Sequence, residues 1–251
     1  MELNLIGKRV LITGSSRGIG LAIAQAFIAE GSAVVINARS EQSLEGALAK
    51  LPGCFGVSAD VTKVEEAKRL VGEASTLLNG LDVLICNVGS GTSVPPGTET
   101  SDEWQRVLAL NLFSATNMVE SAKTALAESN GAIVCISSIC GVEIIPGAPV
   151  TYSVAKAALN TYVKGISRPL AKDGVRINAI APGNILFEGS TWERKKKENT
   201  DAVQKMLTTD VPLGRFGSAE EIAELVIWLA SDKSAFATGV VWELDGGQTR
   251  S

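Results

Sequence analysis

The sequence predicts a doubly wound α/β fold: a parallel sheet of about seven strands, helices on both faces, one domain over residues 1–251. Three observations predict it. Apolar runs of strand length recur at regular intervals. Most are continuously apolar rather than alternating, as strands covered on both faces are. Segments with helical period lie between them, which calls for right-handed crossovers.

The runs "RVLIT" (9–13), "AVVINA" (33–38), "FGVSA" (55–59), "DVLIC" (82–86), "AIVCIS" (132–137), "RINAIA" (176–181) and "VVWEL" (240–244) read as strands. The first helix places Ile19, Ala22, Ile23, Ala26 and Phe27 on one stripe and stops at Gly31. A long amphipathic segment, 101–129, opens on Ser101 as its cap with acids in the first turn. "VTYSVAKAALNTYVKGI" reads as another helix, within 151–171. Residues 218–232 open with a capping box, Ser218 and Glu221. The long irregular insert at about 184–212 is expected to be a substrate lid.

Composition narrows the function. A net charge of −4 argues against a nucleic-acid surface. No apolar stretch reaches membrane-spanning length, and the start does not read as a signal peptide. Cys54, Cys86, Cys135 and Cys140 read as reduced thiols, and a cytoplasmic location is expected. There is no CxxC and no histidine, so no metal site is expected.

The first strand runs into "TGSSRGIG" (13–20), with Gly14, Gly18 and Gly20 in a turn that opens a helix. Such a turn brings backbone N–H groups to a phosphate. Ser16, Arg17 and Ile19 share it. A glycine turn also occurs for packing alone, but the strand before and helix after supply the context of a nucleotide site. The second strand ends "INARS", with Asn37 and Arg39 and no acid for a ribose 2′-hydroxyl. Arg39 and Arg17 suit a 2′-phosphate, which favours NADP over NAD; the alternative is two surface arginines.

The absence of histidine asks what handles a proton. Tyr152 and Lys156 lie four apart on one helix and so share a face. An ammonium about 4 Å from the phenol would contribute on the order of 4 kcal/mol at an effective dielectric near 20. That is about three pKa units downward, before desolvation opposes it. The alternative is a tyrosine packed on a lysine stem.

"TGSSRGIG", "CNVG" (86–89), "SSICG" (137–141), "YSVAK" (152–156) and "APG" (181–183) stand in the order and spacing of the short-chain dehydrogenase/reductase family. The chain resembles that family over essentially its whole length, and most resembles its 3-oxoacyl-carrier-protein reductase-like members. The resemblance implies a Rossmann-type sheet and NADP(H)-dependent interconversion of a ketone and a secondary alcohol, on a thioester or a sugar-like substrate. It implies Tyr152 as proton donor and acceptor, Ser138 on the substrate carbonyl and Lys156 on the nicotinamide ribose. Asn111 would hold a water in a relay toward Lys156. Asp60 and Val61 would meet the adenine, Asn87 and Gly89 would line the cleft, and Ile185, after Pro182 and Gly183, would touch the carboxamide. A homotetramer is implied, packed through the helices 101–129 and 151–171. Two rival readings are an NAD-dependent alcohol dehydrogenase and a non-catalytic nucleotide-sensing protein of the same fold.

The chain departs from the family in three places. Val88 stands where the family has alanine, the stretch from Ser138 to Tyr152 is one residue longer, and Phe187 stands where a threonine is common. Ser137 is a neighbouring alternative to Ser138. Phe187, Trp192, Ile144, Pro146 and Pro149 suggest a partly apolar pocket mouth. The run "ERKKKE" (193–198) reads as a solvated helix face, with attraction of an anionic substrate as the alternative.

Overall fold

In the computed structural model, which describes residues 2–250, seven strands form one parallel sheet in the order β3-β2-β1-β4-β5-β6-β7. The strands are β1 (Arg9–Ile12), β2 (Ala33–Ala38), β3 (Phe55–Ser58), β4 (Val83–Cys86), β5 (Ala132–Ile136), β6 (Arg176–Pro182) and β7 (Val241–Leu244). The helices are α1 (Gly18–Ala29), α2 (Glu41–Leu48), α3 (Val64–Leu78), α4 (Ser101–Leu108), α5 (Ser114–Ser129), α6 (Val150–Lys172), α7 (Thr191–Glu198), α8 (Thr200–Asp210) and α9 (Ala219–Ala230).

Successive side chains of a strand point to opposite faces. In β1, Val10 and Ile12 enter the core beneath α1 and α9, while Leu11 enters the one that α3, α5 and α6 cover. Each strand must therefore be apolar at every position, which is why the runs do not alternate. From β1 the chain winds outward to β2 and β3, then returns to β4 beside β1. That reversal opens a crevice at the carboxyl ends of β1 and β4, where open α/β sheets bind ligands. No described helix is long and apolar enough to cross a membrane.

Two helix starts test the capping arguments. The box at α9 forms in full: Ser218 Oγ accepts from Glu221 N and the Glu221 carboxylate accepts from Ser218 N. At α4 the cap is Thr100 rather than Ser101, its side chain accepting from Glu103 N. The expected helix 101–129 is one axis interrupted by a π turn, Ala109–Phe113, between α4 and α5.

Candidate active site

The glycine turn sits at the carboxyl end of β1, in the crevice. Gly14 and Gly18 have φ of +60° and +56°, a region that favours glycine. Gly20 is required by contact: a Cβ there would lie 2.5 Å from Asn87 Nδ2 and 2.5 Å from the Gly14 carbonyl oxygen. Asn87, at the end of β4, donates to the carbonyls of Thr13 (3.1 Å) and Gly14 (2.9 Å), so it braces the turn. Buried Asn37 braces it from β2, its Oδ1 3.4 Å from Gly14 N and its Nδ2 donating to Val57 and Ala59 carbonyls. No side chain caps α1, and no acid stands in its first turn. Its first N–H groups and positive dipole end are therefore suited to an anion.

Arg17 and Arg39 are both exposed, and neither makes a hydrogen bond or ion pair among the described residues. Ser16 is half-buried in the turn, and Ile19 packs against the core. At the end of β3, Asp60 Oδ1 accepts from Thr62 N and Oγ1. The Val61 side chain lies in the core, so only its main chain can face a nucleotide. Gly183 packs on Asp245, where a Cβ would come within 2.8 Å, and Pro182 pairs with Leu244. Ile185 is buried and bridges to Gly217.

The second cluster lies beside the first, on the carboxyl end of β5 and the start of α6. Ser138 leaves β5 into a short helical turn, Ile139–Gly141, and its Oγ accepts from Cys140 N at 3.1 Å. Its hydroxyl also hydrogen-bonds the Tyr152 phenol. Ser137, the alternative, points away: its hydroxyl donates to Asn160 Oδ1 at 2.6 Å. Asn160 Nδ2 in turn holds the Gly141 carbonyl at 3.0 Å. A Cβ on Gly141 would lie 2.5 Å from the Lys156 carbonyl carbon, so glycine lets this loop press against α6. The longer loop then turns at Ile145–Ala148, with Gly147 at φ +77°.

Lys156 is 3% exposed, donates to the Ile136 carbonyl at 2.8 Å and lies 5.9 Å from the Tyr152 ring centroid. Desolvation lowers its pKa to about 8. The expected downward shift of Tyr152 does not occur. Burial pushes the phenol up to about 12, and the hydrogen bond from Ser138 offsets this only in part. The Lys156 ammonium is itself held by the Ile136 carbonyl.

Asn111, in the π turn, is 1% exposed rather than facing solvent. Its Oδ1 accepts from Ser90 N (2.9 Å), and its Nδ2 donates to the carbonyls of Ser90 (3.2 Å) and Val107 (3.1 Å). A π turn displaces a helical hydrogen bond, and this side chain takes over the Val107 carbonyl. Gly89 makes the cluster possible: a Cβ there would sit 2.9 Å from Asn111 Oδ1 and 3.0 Å from Lys156 Nζ.

The segment after β6 lies against the glycine turn. A Cβ on Gly18 would fall 2.5 Å from the Phe187 ring, and one on Gly189 would fall 3.1 Å from the Arg17 guanidinium. Trp192 packs on Phe216, with centroids 5.4 Å apart. Ile144 is 84% exposed and lies outside any closed pocket wall. Trp242 stacks edge-on against Trp228. Tyr162 packs against the core, and burial raises its pKa strongly. A cavity of about 520 Å³ opens at the opposite end of the sheet, around Lys8, Gly174 and Arg176. The Arg176 guanidinium there is committed to Leu229, Ser231, Ser234 and Ala237.

A family model described as Enoyl-(Acyl carrier protein) reductase matches residues 14–249, nearly the whole chain. The protein belongs to the short-chain dehydrogenase/reductase family. This reductase-family chain is 32% identical to glucose 1-dehydrogenase of Gluconobacter oxydans over 252 residues, covering 97% of this chain and 92% of that one. It is 32% identical to 3-oxoacyl-[acyl-carrier-protein] reductase of Staphylococcus aureus over 246 residues, 96% and 97% of the two chains. Among solved structures it is similar to L-sorbose reductase from Gluconobacter frateurii complexed with NADPH and L-sorbose, with TM-score 0.91, 30% identity and full coverage of both chains.

Asn37, Asn160 and the π turn went unassigned in the sequence reading. Asn37 had a signal, as a polar residue inside an otherwise apolar strand. Asn160 lies four residues past Lys156, on the same helical face.

Proposed function

We propose that the protein is an NADP(H)-dependent oxidoreductase that interconverts a ketone and a secondary alcohol, with Ser138, Tyr152 and Lys156 acting on substrate and cofactor. The observation that carries this reading is the convergence of those three side chains on one ledge beside an uncapped, glycine-built helix start. The unpaired Arg17 and Arg39, and the lack of an acid at the end of β2, support the phosphorylated dinucleotide. The likeness to a reductase solved with NADPH supports it too.

The dinucleotide supplies the hydride when bound. Burial keeps the Tyr152 phenol protonated at neutral pH, so it stands ready as the acid that protonates a carbonyl oxygen during reduction. Ser138 donates a hydrogen bond to the same oxygen and stabilises the charge that develops there. Lys156, a cation below about pH 8, stabilises the phenolate left behind and binds ribose hydroxyls. Asn111 fixes the Ser90 loop under Gly89 and, in the same reading, helps hold a relay water. Asp60, Val61, Asn87, Gly89 and Ile185 line the nucleotide path, and residues 184–212 form the lid.

A homotetramer accompanies this reading. It is supported by exposed Phe113, between α4 and α5, and by exposed Val150 and Val154 on α6. The test is NADPH oxidation followed by nicotinamide absorbance with a panel of aliphatic ketones, keto sugars and 3-oxoacyl thioesters, products identified by mass. Consumption of NADPH with stoichiometric alcohol supports the reading. Tight NADPH binding with no carbonyl reduced across the panel would favour the sensing protein instead.

A further inference from the structure

The loop after Gly89 passes along the Tyr152 ring. A Cβ on Gly91 would lie 3.7 Å from Tyr152 Cε1 and 3.8 Å from Cζ, the carbon that carries the phenol oxygen. The loop backbone is therefore a wall beside the phenol, and two grips hold it. Upstream, Asn111 takes both main-chain groups of Ser90. Downstream, the grip comes from α4. The Arg106 guanidinium donates to the Thr92 carbonyl at 3.0 Å and makes a two-point pair with Glu103, Nε to Oε2 and Nη2 to Oε1, both at 2.7 Å. Ser93 Oγ donates to Glu103 Oε1 at 2.6 Å and lies 2.7 Å from Thr151 Oγ1. Thr151 is fully buried and immediately precedes Tyr152 in α6.

The direction of this row follows from its hydrogens. Arg106, and then Ser93, hold the Glu103 carboxyl down at about 2, so at neutral pH it is a carboxylate and only accepts. Ser93 has a single hydroxyl hydrogen and gives it to Glu103. The Thr151 hydroxyl must then donate to Ser93. Every donor in the row Thr151–Ser93–Glu103 points toward the charge, so each bond polarises and strengthens the next. An exposed ion pair three residues apart on a helix contributes little alone, as with Glu65 and Lys68 on α3. The Glu103 side chain differs: it is 14% exposed, and through Ser93 it reaches the loop and α6.

We propose that Glu103 is a positioning residue for the reaction: with Arg106 it fixes the loop 90–94 against the Tyr152 ring, and through Ser93 it fixes Thr151 and so the start of α6 that aims the phenol. This rests on the proposed role of Tyr152 as the acid. Such bracing matters because a misplacement of about 1 Å can cost about a hundredfold in rate.

The protein holds two tyrosines, Tyr152 and Tyr162, and both lie on α6. They supply a readout independent of turnover. Nitration by tetranitromethane, read by peptide mass spectrometry on the full-length protein, reports access to each phenol, and Tyr162 is the internal standard for general loosening. Ser93→Ala and Thr151→Val each remove one hydroxyl from the row. Each is expected to raise the Tyr152-to-Tyr162 nitration ratio about threefold or more, with Thr151→Ser close to wild type. In steady-state ketone reduction the same two variants, and Glu103→Gln, are expected to lose about tenfold in kcat, with KM for NADPH within about twofold of wild type. Thr151→Ser recovers most of the rate, and Glu65→Gln changes neither readout. Ser93 stands on the half-buried loop, so Ser93→Ala tests the proposal even where Thr151→Val fails to fold. A nitration ratio that Ser93→Ala leaves at the wild-type value would overturn the proposal, as would an unchanged kcat. Equal rises at Tyr152 and Tyr162 would overturn it too, because they mark general loosening. If wild type reduces no ketone but the ratio rises as expected, the ketone reading fails and the positioning of Tyr152 stands.

Discussion

Burial of Lys156 makes a prediction about stability as well as chemistry. Its ammonium is 3% exposed, and its pKa falls from 10.5 to about 8 on folding. The charged form is therefore disfavoured in the native state. Below about pH 8 the lysine is protonated in both states and the whole penalty applies, about 3 kcal/mol. Between pH 8 and 10.5 the unfolded chain binds the extra proton, so stability from this group rises with pH. Over pH 7 to 9 the rise is about 1 kcal/mol. Raised thiols such as Cys54, at about 11, act in the opposite direction from about pH 8 upward, and comparison with a variant that keeps them cancels their effect. Urea unfolding of wild type and Lys156→Met at pH 7, 8 and 9 isolates the effect. The wild type is expected to gain about 1 kcal/mol relative to the variant across that range. Parallel curves would refute the view of Lys156 as a buried, penalised cation.

Other expectations follow from the same geometry. Gly89→Ala drives a Cβ against Asn111 Oδ1 and Lys156 Nζ, so kcat is expected to drop about tenfold or more in steady-state assays. Gly18→Ala combines a strained φ of +56° with a clash against Phe187. It is expected to cost about 1–3 kcal/mol of stability, partly recovered in the double variant with Phe187→Ala, as a double-mutant cycle in urea reads. Arg39→Ala is expected to weaken NADPH binding about tenfold or more while changing NADH binding little, measured by nicotinamide fluorescence titration. An unchanged ratio of the two affinities would remove Arg39 from the 2′-phosphate.

Much of the fold was legible because burial on both faces imposes its pattern on every strand. The run "AVVINA" coincides with β2 from end to end, and the capping box at Ser218 rests on four adjacent residues. Tyr152 and Lys156 were legible for the same reason, since a four-residue spacing is local. What escaped depends on partners far along the chain. The π turn at Asn111 exists with a side chain clasped to Ser90, which no helical periodicity encodes. Phe187 was visible as a missing threonine and as part of an apolar pocket mouth, but its contact with Gly18 joins segments 169 residues apart in sequence. The direction of the Tyr152 shift turned on burial, which a local spacing does not encode. The α7 lysines look alike in sequence, but Lys195 lies over the Trp192 ring and Lys197 pairs with Glu193.

The role of Tyr152 as the proton donor is the centre of the account. Its most direct test is the rate of NADPH-dependent ketone reduction by Tyr152→Phe, with NADPH affinity measured on the same preparation. Loss of the hydroxyl removes the acid and leaves the ring in place, so the rate is expected to fall about 100-fold or more, with cofactor affinity within about twofold of wild type. Full activity in Tyr152→Phe would contradict the account.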